Sequence, residues 1–157
     1  MIHVEDDFLP VDLLEGVYNL YNNNKTSTPT GWVEKSEVHY GVTKLVSAAL
    51  HCFNISHFAG LEIWSHYNSR PGWHYDRNEL LYDKDKVNVF PLCSIIFYPK
   101  INVISGGELV IDSGITIHPK TNRLVLMSPG TYHKVETFLG ERFSLLINVW
   151  DKNIYEQ

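Results

Sequence analysis

The sequence predicts a mainly β domain with N-terminal helices (α+β), the helices packing on a β-sandwich or barrel. Three observations lead there. Two apolar stripes at helical spacing occupy the first third, the character changes to strands from Ala59, and turn residues punctuate everything after it. Two helices followed by about seven short strands is a pattern of layered sheets with the helices to one side.

The first stripe is Val11, Leu13, Leu14, Val17, Tyr18 and Tyr21, entered through Phe8-Leu9-Pro10. Pro10 suits the first helical turn, where its missing N–H has no intrahelical partner to lose. Asn22 to Lys25 and on through Pro29-Thr30-Gly31 reads as a polar loop. Val42, Leu45, Val46, Ala49, Leu50 and Phe53 form the second and clearer stripe. Leu61–Tyr67 is the first strand, turned by Asn68-Ser69-Arg70-Pro71-Gly72. The charged segment Arg77 to Lys86 reads as an irregular loop. Cys93–Tyr98 is near-continuously apolar, as a strand buried on both faces should be. Ser105-Gly106-Gly107 leads into Glu108–Ile111; Arg123–Met127 is a strand stopped by Ser128-Pro129-Gly130. Thr131–Val135 and a long strand from Arg142 to Trp150 complete the chain.

At 157 residues, 44% hydrophobic and 20% charged, the chain fits one soluble domain, 1–157. Residues 1–58 serve as mainly helical support and 59–151 as the β core. Net charge is −5 with the basic residues scattered, which disfavours a nucleic-acid partner. No apolar window is long enough for a bilayer, and Met1–Asp7 lacks the basic and apolar regions of a secretion signal, so the expected address is cytoplasmic. Cys52 and Cys93 are expected to be buried thiols.

The chemistry concentrates at Gly72-Trp73-His74-Tyr75-Asp76, read with His133 and Arg142. On a strand, residues two apart share a face, so His74 and Asp76 can address one metal ion. His133 can add a third ligand from another strand. Two imidazoles and one carboxylate on one side of an ion leave positions open opposite, the donor set of non-heme Fe(II) oxygenases. Arg142, nine residues after His133, is a fixed cation suited to gripping a carboxylate. His-x-Asp/Glu alone carries little: among 8 His and 18 acidic residues, chance supplies roughly one match. His3-Val4-Glu5 also fits, in a terminus expected to fray.

Context separates the two. His74-Tyr75-Asp76 is followed by Phe97-Tyr98, Gly106-Gly107-Glu108-Leu109, Arg123–Met127, Tyr132-His133-Lys134-Val135, Arg142-Phe143-Ser144 and Val149-Trp150. From Leu61 to Trp150, in order and spacing, this resembles the prolyl-hydroxylase branch of the 2-oxoglutarate/Fe(II) dioxygenases. The resemblance implies a double-stranded β-helix (a jelly-roll, cupin-like) with iron in its mouth. His74, Asp76 and His133 would be the metal-binding and catalytic residues. Arg142 would bind 2-oxoglutarate, joined by Tyr98, with Tyr67 the weaker candidate. Fe(II), 2-oxoglutarate and O2 are the implied cofactors, with ascorbate a candidate reductant. The implied reaction is hydroxylation of a C–H bond with release of succinate and CO2. The substrate would be a peptide, protein or amino acid, with peptidyl proline favoured by analogy. Selectivity would come from the barrel mouth, the Arg77–Lys86 segment and the region of Gly31-Trp32.

The remaining His39, His51, His57, His66 and His118 match no family position and read as structural or solvent-facing. Trp64 and Trp73 read as packing residues. Nucleic-acid dealkylases share the first motif and distal His but follow with Arg-x-Asn-x-Thr, against Arg142-Phe143-Ser144-Leu145-Leu146 here. Two alternatives stay open: a cupin-like metal-dependent oxygenase that does not use 2-oxoglutarate, and a non-catalytic jelly-roll binding module.

Overall fold

In the computed structural model, which describes residues 1–157, the two apolar stripes become α1 (Val11–Tyr21) and α2 (Tyr40–Cys52). His39 caps α2 by accepting a hydrogen bond from the Gly41 N–H at 3.0 Å, satisfying one of the donors a helix start leaves open. Val17, Val42, Leu45, Val46 and Ala49 are the buried residues of the two helices, and both helices lie against the same sheet.

That sheet has six antiparallel strands in the order β1-β7-β4-β9-β3-β2. They are β1 (Ile2–Glu5), β2 (Thr28–Glu34), β3 (Gly60–Tyr67), β4 (Cys93–Gly106), β7 (Arg123–Met127) and β9 (Phe138–Trp150). A second sheet, β6-β5-β8, is built from β5 (Leu109–Ile111), β6 (Thr116–Ile117) and β8 (His133–Val135). The helices, the large sheet and the small sheet form the layers of a double-stranded β-helix with supporting helices.

Strand alternation sorts the core. Ile95, Phe97, Leu124, Leu126, Leu145, Ile147 and Val149 face the helices in one apolar cluster. Ile96, Tyr98, Val125 and Met127 face the small sheet and meet Leu109, Ile111 and Ile117 in another. A strand covered on both faces has no polar side to show, hence the unbroken apolar run at Cys93–Tyr98. Each fully buried aliphatic contributes about 1.5–3 kcal/mol over an exposed one, so the larger, helix-facing cluster supplies most of the cohesion.

The structure corrects the sequence reading in several places. Residues 1–58 are more than helical support, since they supply both edge strands of the large sheet, β1 and β2. The segment carrying His3 and Glu5 is therefore paired, with His3 opposite Leu126, rather than frayed. Thr28–Gly31, read as loop, starts β2. The Arg77–Lys86 segment contains α3 (Glu79–Asp85). Asn78 starts it, its Oδ1 accepting from the Leu81 N–H while its amide donates to the Ile154 carbonyl. Strand β4 continues eight residues beyond Tyr98, and β9 begins at Phe138, because the two extend each other as a solvated antiparallel arm. Cys93 is buried but Cys52 only partly so, and burial pushes the Cys93 thiol up to about 12. No helix is long and apolar enough to cross a membrane.

Candidate metal centre and its cavity

His74 joins the small sheet through a single bridge to His133. The two residues exchange backbone hydrogen bonds, His74 N–H to the His133 carbonyl at 2.9 Å and the reverse at 3.0 Å. Residues paired this way present their side chains on the same face, and the two imidazole centroids lie 4.3 Å apart. Asp76 follows in chain outside any ladder, so the expected strand over His74–Asp76 is reduced to that bridge. The nearer Asp76 oxygen nevertheless lies 3.7 Å from His74 Nε2 and 3.9 Å from His133 Nε2. All three donor atoms fall within 4.8 Å of one another.

The ring orientations suit a metal. His74 Nδ1 lies 2.7 Å from the Gly72 carbonyl and His133 Nδ1 2.8 Å from the Thr131 carbonyl. A carbonyl can only accept, so each Nδ1 carries a proton, and in a neutral ring each Nε2 then presents a lone pair toward Asp76. Burial holds His133 below its ordinary pKa against the pull of Asp76 and so favours the neutral ligand form. Donor atoms this close need only small side-chain adjustments to share one ion.

Behind the triad the cavity runs between the sheets to Arg142, which is 2% exposed. Nε of Arg142 donates to the Gly107 carbonyl at 2.9 Å and Nη2 to the Tyr98 hydroxyl at 3.2 Å. Gly106 and Gly107 both take positive φ, and a Cβ on Gly106 would run into the Thr137 carbonyl, so this turn needs glycine to deliver its carbonyl to the arginine. No carboxylate pairs with Arg142. Burial pulls its pKa down, yet a guanidinium stays charged, leaving a cation without a counter-ion at the closed end. Beside it the Ser144 hydroxyl is buried with no hydrogen-bond partner. Burial raises Tyr98, which therefore keeps a phenolic hydrogen to donate.

Other candidates fall outside. Tyr67 stands on the opposite face of β3, against Phe143. Arg123 is engaged by Asp6 at 2.6 and 3.0 Å. His118 is exposed beside Glu108, and His39 is the α2 cap. Two residues assigned to structure or packing do line the cavity: His66 and Trp64. Burial, then Arg142 and His74, hold His66 below its ordinary pKa. The signal that places it was present, because β3 alternation puts Glu62, Trp64 and His66 on one face.

Comparison with solved structures bears on this arrangement. A Pseudomonas putida prolyl-4-hydroxylase superimposes with a TM-score of 0.68 over 97% of this chain and 93% of its own, at 17% identity. A viral collagen prolyl hydroxylase from Paramecium bursaria Chlorella virus-1, solved as a 2-oxoglutarate complex, gives 0.62 over 94% of each chain at 15% identity. The fold is that of the prolyl 4-hydroxylases. A Trichoplax adhaerens prolyl hydroxylase in complex with a hypoxia-inducible-factor peptide gives 0.54, over 96% of this chain and 83% of its own, at 14% identity. No protein-family model matches the sequence, and no curated protein does. At these identities the likeness to prolyl 4-hydroxylases lies in the fold.

Proposed function

We propose that this protein is an Fe(II)- and 2-oxoglutarate-dependent dioxygenase that hydroxylates a C–H bond. The observation that carries the reading is Arg142, an unpaired buried guanidinium at the closed end of a cavity with two imidazoles and a carboxylate nearer its mouth. A dicarboxylate with one end for the metal and the other for Arg142 satisfies both. His74, Asp76 and His133 would hold Fe(II), their donor set leaving open positions for a chelating cosubstrate and for O2. Arg142, Tyr98 and the otherwise orphaned Ser144 hydroxyl would be three donors to the distal carboxylate of 2-oxoglutarate, and that carboxylate would supply the counter-ion the buried cation lacks. Together, iron and 2-oxoglutarate supply the oxygen activation, with succinate and CO2 released. The protein's share is orientation and exclusion of water: Ile96, Leu109, Val135 and Leu146 wall the cavity. Peptidyl proline is the favoured substrate, supported by the names of the proteins that share the fold.

The test needs no substrate. Fe(II) and then 2-oxoglutarate are added anaerobically to metal-free protein, and the visible charge-transfer band of the chelate is followed. The band should appear only with 2-oxoglutarate and weaken in Arg142→Ala. Iron binding without a band would indicate an oxygenase independent of 2-oxoglutarate. No binding would indicate a jelly-roll binding module.

A further inference from the structure

Along the cavity, β3 and β9 place three cross-strand pairs on the inner face: His66 with Ser144, Trp64 with Leu146 and Glu62 with Asn148. The first pair lies at the Arg142 end. The last opens onto a groove that also touches His74 and Asp76. Four residues of strand separate His66 from Glu62, about 13 Å at the usual rise. The guanidinium therefore lies at the closed end of the cavity and the Glu62 carboxylate in the adjoining groove, with His74 and Asp76 lining both.

Glu62 is held rigidly. Its Oε1 accepts from Asn148 Nδ2 at 3.0 Å and from Trp150 Nε1 at 3.3 Å. The Ser94 hydroxyl donates to Asn148 Oδ1 at 2.9 Å, which fixes the amide with its nitrogen toward Glu62. Oε2 makes no hydrogen bond within the protein, and no lysine or arginine pairs with the residue. Arg77, the cation lining the groove, is engaged by Glu79 and Asn88 and lies over the Tyr82 ring. A carboxylate fixed through one oxygen and open through the other is an acceptor set for a donor from outside.

Resting on the oxygenase reading, we propose that Glu62 selects the substrate by accepting a hydrogen bond from a protonated nitrogen on it, an ammonium or guanidinium. A prolyl ring within a peptide has no such donor, so we assign the group to a basic side chain, either flanking the oxidised residue in a peptide or carried by a free amino acid, whose α-ammonium is the competing donor.

Paired probes of similar shape separate charge from fit, citrulline matching arginine most closely. One arm uses capped prolyl peptides with lysine or arginine beside the proline against norleucine or citrulline at the same place. The other uses the four amino acids free and Nα-acetylated, which separates the side-chain cation from the α-ammonium that all four share when free. Binding is measured calorimetrically under nitrogen on protein given Fe(II) and 2-oxoglutarate, with the charge-transfer band recorded on the same sample. The cationic member should bind at least tenfold tighter in one arm, which identifies the source. Glu62→Gln should bring that ratio toward one, and Glu62→Asp should keep most of it. Because the ratio is taken within one preparation, partial loss of folded protein does not alter it. A ratio near one in both arms, no binding of any probe, or a ratio unmoved in Glu62→Gln overturns the proposal. Absence of the band is scored separately, against the oxygenase reading, and a tenfold ratio without it still supports Glu62 as a cation site.

Discussion

The two faces of β9 are built to opposite rules. Toward the helices it presents Phe143, Leu145, Ile147 and Val149, all buried among apolar neighbours. Toward the cavity it presents Arg142, Ser144, Leu146 and Asn148, three of them polar and nearly as inaccessible. Excluding water stabilises the first face and destabilises the second, where a cation lacks a counter-ion and a hydroxyl lacks a partner. One strand of period two can do both, and the lesson is that the cohesive face holds the costly one in place. Unmet polar groups in an otherwise well-satisfied interior mark where a ligand belongs.

Substitutions separate the faces, and the largest effect expected is chemical. Asp76→Ala removes one of the three proposed ligands and should lower 2-oxoglutarate turnover by more than the ~10–100-fold that loss of an outer-shell partner costs. Iron affinity, measured in parallel, should fall with it, and full turnover in this variant would sink the triad. On the cohesive face, Leu145→Ala should cost about 2–5 kcal/mol in urea unfolding, because Leu145 is fully buried and its neighbours cannot collapse onto the gap. Arg142→Met should cost far less than Leu145→Ala. It removes an uncompensated buried charge but leaves the Gly107 carbonyl without its partner, two effects of opposite sign. The same change should raise the 2-oxoglutarate requirement about 10- to 100-fold through loss of charge-assisted hydrogen bonds. If Arg142→Met instead unfolds like Leu145→Ala, the guanidinium is a structural strut and the contrast between the faces fails.

How far the sequence discloses these faces depends on the range of the interactions behind each element. Arg123–Met127 was legible to the residue, since a short apolar run between turn residues has one reading. The helical stripes were legible because period 3.6 is local. His74, Asp76, His133 and Arg142 were singled out through order and spacing, and the structure brings donor atoms of the first three within 4.8 Å. Strand β1 was invisible because only its pairing with β7, more than a hundred residues away, makes Ile2–Glu5 extended. The outer halves of β4 and β9 were missed because a solvated arm shows no hydrophobic period; Ile104 and Leu139 are both exposed. Helix α3 left a signal, Asn78 as a cap, but the charged run after it concealed the helix. His66, read as structural or solvent-facing, lines the cavity: alternation groups it with Trp64 and Glu62, and the pairing with β9 shows that this face is the inward one.

The smallest effect concerns the other buttressed arginine. Arg123 holds both oxygens of Asp6 with Nε and Nη2, at 2.6 and 3.0 Å, tying the segment after β1 to the start of β7. The hydrogen bonds from Arg123, with lesser help from Lys120, lower the Asp6 carboxyl from 3.8 to about 2. A carboxylate whose folded pKa lies below its unfolded value adds stability above the unfolded value, and that stability is lost as pH falls toward the folded one. Asp6→Asn should therefore unfold slightly more easily than the parent from about pH 5 upward, the gap closing as pH falls toward 2. Because the pair is partly exposed, the gap should stay below about 1 kcal/mol and shrink in high salt. A gap that persists at the lowest pH would mean that Asp6 acts through packing. Arg123 would then offer no contrast of charge with Arg142, which is buried, without a carboxylate, and set where an anionic ligand would complete it.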